Sequence, residues 1–114
     1  MKRVVVVLVL VLAGLFAATS AQAFVWHLAI PKARAENERF ARDLCESDRE
    51  CTYWAGSKCQ RVTESRVDCI AATWYPEEPG YETQCWTVTH WGVNYSGYIV
   101  LKNRGPVHCE LERA

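Results

Sequence analysis

Neither sign of charge dominates this chain of 114 residues, in which 13 Lys+Arg face 13 Asp+Glu. Acids and bases alternate along it, as in Arg34-Ala35-Glu36-Asn37-Glu38-Arg39. No basic patch is therefore available to release counterions from a phosphate backbone, and nucleic acid is excluded as an expected partner. The chain also lacks the metal-binding spacings. It has no C-x-x-C pair, and His27, His90 and His108 fall in neither an H-x3-H nor an H-E-x-x-H arrangement, so no metal site and no cofactor is expected. A nucleophile elbow of the G-x-S-x-G kind, a Gly-rich phosphate loop, internal repeats and low-complexity tracts are all missing.

A long hydrophobic run is missing too. The longest, from Val4 to Ala18, is broken only by Gly14, and it falls short of the roughly 20 residues that a helix needs to cross a bilayer. Lys2 and Arg3 precede it and Ala21-Gln22-Ala23 follows it, which is the basic, apolar, small-x-small order of a cleaved export signal. The expectation is a signal peptide over 1–23 and one small domain over 24–114, secreted or periplasmic, without stable membrane insertion after cleavage. That segment keeps 11 Lys+Arg against 13 Asp+Glu.

Aliphatic residues are scarce: from Phe24 onward only 16 residues are Leu, Ile, Val, Phe or Met. A core of that size needs help. Six cysteines, Cys45, Cys51, Cys59, Cys69, Cys85 and Cys109, all follow the signal, and an even number in a small exported chain implies a disulfide framework. Six cysteines allow 15 pairings, so connectivity stays open at this stage.

One helix is legible. Ala33, Asn37, Phe40, Ala41, Leu44 and Cys45 recur at helical spacing behind Pro31, which suits a first turn. Beyond Glu50 the chain turns β-branched and aromatic, with turn residues near 64, 76–80 and 94–97. The pattern predicts strands over 52–62, 66–75, 82–93 and 97–103, then an extended piece around Cys109 after Gly105-Pro106. The fold class expected is α+β: one N-terminal helix on a four-stranded antiparallel meander, stabilised by disulfides.

Register can be argued further. A first hairpin centred on Glu64 sets Cys59 opposite Cys69 and Trp54 opposite Trp74, and a second centred on Glu78 sets Cys85 opposite Ala71. One face then carries Ala55, Cys59, Val67, Cys69, Ala71, Cys85 and Trp91, with Ile99 and Leu101, and suits the helix. The other carries Trp54, Trp74 and Trp86 among Lys58, Gln60, Arg66, Asp68, Ile70, Val88 and His90. Exposed indoles mark contact surfaces. The expected function is a non-enzymatic exported binding module for a protein or a surface glycan, with Trp54, Trp74, Trp86 and His90 on the open face and Tyr75 and Tyr81 in the 75–81 loop as binding residues. Other readings stand beside it: residues 24–30 cover the indoles as packing; or the chain is a small secreted hydrolase using His90 or His108 with a nearby carboxylate, as in Asp68 and His90 with Ser57 or Ser65; or it is a structural envelope component. Asn94-Tyr95-Ser96 is a glycosylation sequon and equally a hairpin turn.

Overall fold

The computed structural model describes residues 26–113. The expected signal over 1–23, and Phe24 and Val25 of the stretch proposed to cover the indoles, lie outside them. Helix α1 (Ile30–Glu46) starts with Pro31 in its first turn and ends at Ser47, whose N–H reaches the Asp43 carbonyl. Six strands follow: β1 (Tyr53–Ala55), β2 (Cys59–Thr63), β3 (Arg66–Pro76), β4 (Tyr81–Val93), β5 (Ile99–Arg104) and β6 (His108–Arg113). With three disulfides, the class is α+β as expected.

The strand count is a correction from four to six, and its cause is local. The long central pair β3–β4 is flanked on one side by β1 and β2 end to end, and on the other by β5 and β6 end to end. Each edge strand of the meander is broken once. Gly56 and Ser57 together oppose Ala71, and residues 105–107 oppose Thr87 and Val88. Each is a bulge, with more residues on the edge than on its partner. Pro106 has no N–H to give at the second break.

The first bulge shifts register by one residue, so Trp54 faces Thr73 rather than Trp74, and Ala55 faces Ala72. A slip of one exchanges faces. Trp54 therefore lies on the helix side and Ala55 on the open side, the reverse of expectation. The second hairpin is centred on Pro79, not Glu78, which places Cys85 opposite Thr73 instead of Ala71. A slip of two leaves every side chain on its expected face.

Disulfides Cys59–Cys69 and Cys85–Cys109 join directly paired residues, with Cα atoms 4.0 and 4.1 Å apart. Cys45–Cys51 ties the end of α1 to the approach to β1. Helix α1 lies over β1, β2 and β3 rather than across the whole sheet. Ala33, Asn37 and Ala41, spaced by four, are fully buried on its inner side. Leu28, Val67, Cys69 and Trp91 complete the core, and Phe40 packs edge-on against Trp91 at 6.2 Å between ring centroids.

Close approach of the helix depends on Gly56. A Cβ there would stand 2.9 Å from both the Asn37 carbonyl oxygen and the Glu38 Cα, both backbone atoms. Gly56→Ala is expected to destabilise the protein by about 1–3 kcal/mol through overpacking. Gly92→Ala is expected to be far milder, because the neighbour there is the flexible Lys102 side chain. Equal melting temperatures for the two variants would remove the argument.

The described part of the lead-in to the helix, residues 26–29, does not cover the indoles of the open face. Leu28 is buried beneath α1, its N–H donates to the Glu64 carbonyl, and its own carbonyl accepts from Arg61. Trp26 rests against Gly97 in the β4–β5 turn. His27 meets Glu64, and the hydrogen bond and positive charge of His27 hold the Glu64 carboxyl below its ordinary value of 4.5. This contact stabilises the fold above that value and is lost as pH falls through the lowered one. Asn94 serves the β4–β5 turn, its Oδ1 accepting from the N–H groups of Ser96 and Tyr98.

Candidate functional site: the open face of the sheet

Even-numbered residues of β3 and β4 point away from the helix. Register pairs Asp68 with His90, Ile70 with Val88, Ala72 with Trp86 and Trp74 with Gln84, so these eight side chains form the middle of the open face. Ile70 and Val88 remain 39% and 38% exposed. A shallow cavity of about 350 Å³ lies on this face, floored by Ile70, Ala72, Trp74, Gln84 and Trp86. Ser57 and Lys58 wall one side of it and Glu110 the other. A second depression of about 310 Å³ shares Lys58 and Ile70 and extends past Gln60 and Asp68. The two make one elongated groove across the sheet.

Both indoles are held by β6. Trp74 Nε1–H donates to Glu112 Oε1 at 2.9 Å, and Trp86 stacks on His108 with centroids 5.7 Å apart and planes at 29°. Cross-strand pairing puts those supports there, since His108 faces Trp86 and Glu110 faces Gln84. The Cys85–Cys109 bond fastens the strand that carries them. Tyr53, paired with Trp74 on β1, tilts against it at 5.1 Å. Aromatic rings fixed before a ligand arrives lose little rotamer freedom on binding.

His90 sits at the other end. Its Nδ1 lies 2.7 Å from Asp68 Oδ1 and 3.0 Å from an Arg66 nitrogen. One nitrogen serves one partner at a time: it donates to Asp68 when it carries a proton and accepts from Arg66 when it does not. Among the described residues, no serine, threonine or cysteine side chain is hydrogen-bonded to His90. The Asp68–His90 pair thus exists as a cross-strand contact. No group of three or more His, Cys, Asp or Glu among the described residues is placed to hold a metal ion.

The structure brings together three of the six expected binding residues, Trp74, Trp86 and His90. Trp54 lines a separate depression with Glu38 and Ser57, because of the slip at Gly56. Tyr75 and Tyr81 belong to the helix side of the sheet. Tyr75 borders a cavity of about 310 Å³ beside Leu44 and Asp48, and its Oη accepts from Thr73. Tyr81 is 43% exposed and pairs with Arg113. From sequence alone, Glu110 and Glu112 lie outside the site and His108 is offered only as a hydrolytic histidine. Their alternation after Gly105-Pro106 was the available signal, and it needed the β4–β6 pairing to become useful. No family model, curated protein or solved structure matches this chain.

Proposed function

We propose that this chain is an exported, non-enzymatic binding module whose contact surface is the open face of its sheet. The observation that carries the reading is the pair Trp74 and Trp86, on a sheet side that no described helix covers and each oriented by a β6 side chain. Indoles offer a broad apolar surface with one donor, and Gln84, Ser57, Lys58 and Glu110 add polar groups around them. That mixture suits a protein surface or a glycan, where apolar ring faces alternate with hydroxyls. Three disulfides fit an oxidising compartment, and no described helix is long and apolar enough to cross a membrane. Export predicts a mature chain beginning at Phe24 that takes up alkyl groups only after reduction, six of them, which an intact mass would register.

The binding test is comparative. Wild type, Trp86→Ala and Tyr95→Ala are compared against a panel of surface polysaccharides and exported proteins. Tyr95 is fully exposed in the β4–β5 turn, away from the groove. Trp86→Ala is expected to weaken a partner by about 30-fold, the size of a hot-spot loss near 2 kcal/mol, with Tyr95→Ala unchanged. Near-ultraviolet circular dichroism reports whether Trp86→Ala retains its packing. Retained packing with unweakened binding would exclude this face as the contact surface.

A further inference from the structure

We infer that the open face is the interface of a symmetric dimer whose occupant is a second copy of this chain. The inference rests on reading that face as a contact surface, and it names the partner. Its basis is the distribution of charge along the strands. At one end, Arg66 pairs with Gly92, and the Lys102 side chain lies across Gly92 on the same side. Lys58 stands further in at the groove wall. At the opposite end Glu82 pairs directly with Glu112, and Glu110 stands one row inward.

The acidic end is unfavourable as it stands. Like charges directly opposite on neighbouring strands destabilise a sheet. Glu112 accepts from Trp74, but among the described residues no cation forms a salt bridge with Glu82, Glu110 or Glu112. Lys58 and Lys102 likewise form none. Lys102, a cation without a partner, therefore occupies one end of the face and anions without cationic partners the other. Asp68 is already matched by Arg66 and His90.

A two-fold axis lying in the face and crossing the strands, at the level between the Ile70–Val88 and Ala72–Trp86 pairs, reverses strand direction between copies. It sets the Lys102 end of each copy over the Glu82–Glu112 end of the other. An axis parallel to the strands would set like charge on like. Only the first arrangement is electrostatically self-complementary, as a closed dimer requires. Its centre is apolar, with Ile70, Val88, Trp74 and Trp86, and its ends are charged, the anatomy of a protein interface. Four strands about 4.8 Å apart and 11 residues long span roughly 700 Å², close to the ~800 Å² that each partner gives a stable complex.

The test is a charge exchange read by sedimentation velocity on the disulfide-intact protein. Wild type is expected to sediment as a dimer, more weakly at high salt. Lys102→Glu and Glu82→Lys, each alone, are expected to raise the dimer dissociation constant at least tenfold, because like charges then meet twice across the two-fold axis. Mixing the two variants, or placing both changes in one chain, restores opposite charges at both meetings and is expected to restore the dimer. A structural effect of either substitution on the monomer would not be rescued by mixing. Wild type that stays monomeric up to about 100 μM, an affinity too weak for a specific dimer of this area, overturns the inference, as does a dimer that neither single variant weakens. Monomeric protein whose ligand is lost in Trp86→Ala overturns the dimer alone, and Trp86→Ala without effect on either association overturns both readings.

Discussion

Asn37→Ala is expected to lower the melting temperature by roughly 12–24 °C, the shift that about 3 kcal/mol produces in a domain of this size. Asn37 is fully buried and bonded on every side. Its Nδ2 donates to the Gly56 carbonyl at 2.8 Å and to the Ile70 carbonyl at 3.0 Å. Its Oδ1 accepts from the Thr89 hydroxyl at 2.6 Å and from Trp91 Nε1–H at 3.1 Å. The Ile70 carbonyl has no edge-strand partner because β1 and β2 part at Gly56 and Ser57, so a side chain from the helix replaces the missing ladder bond. Truncation leaves the Gly56 and Ile70 carbonyls dry and short of a donor, each costing about 1–3 kcal/mol before relaxation, while Trp91 Nε1–H keeps the Thr89 hydroxyl and that hydroxyl the Cys69 carbonyl. Asn37→Leu, which keeps the bulk, is expected to be nearly as harmful, since the loss is of hydrogen bonds rather than volume. A melting temperature within a few degrees of wild type for either variant would show that the network contributes little.

The second large effect concerns β6. Replacing Cys85 and Cys109 together by Ser is expected to cost about 3.5 kcal/mol, against about 2–3 for either of the other bridges. Chain entropy lost by the unfolded state grows with the loop closed, and these cysteines are 24 apart in sequence, against 10 and 6 for the others. Beyond Gly105 the strand is exposed nearly throughout and takes its ladder pairing from β4, with one side-chain bond from Trp74 of β3. Without the bond β6 is expected to loosen before the rest of the sheet, with early amide exchange at 108–113 while α1 and β3 stay protected. Trp74 and Trp86 then lose Glu112 and His108, so ligand affinity should fall at temperatures where the variant is still folded. Uniform exchange across the sheet would contradict this local role.

Much of the architecture was readable from residue order. The helix from Pro31 to Cys45, the central strands and the Glu64-centred pairing of Cys59 with Cys69 follow from periodicity and turn chemistry. The helix-facing set was right except for Ala55, and the open-face set except for Trp54. Both exceptions come from one extra residue at Gly56–Ser57. Residues in a bulge carry no period of their own, and a glycine there reads equally as a turn or a strand interior. Asn37 was readable only as one of a row of small residues, because its partners are separated from it by 19 to 54 residues in sequence.

By itself the sequence determined composition, pattern and staples: a modest core, one amphipathic helix, alternating strands and an even number of cysteines, all set by local chemistry and short-range spacing. The tertiary structure alone decided how Cys45, Cys51, Cys85 and Cys109 pair, where the edge strands break, and which indoles share a face with Glu110, Glu112 and His108. Those outcomes depend on pairing between distant segments, and a slip of one residue in that pairing exchanges the buried side of a strand for the exposed one.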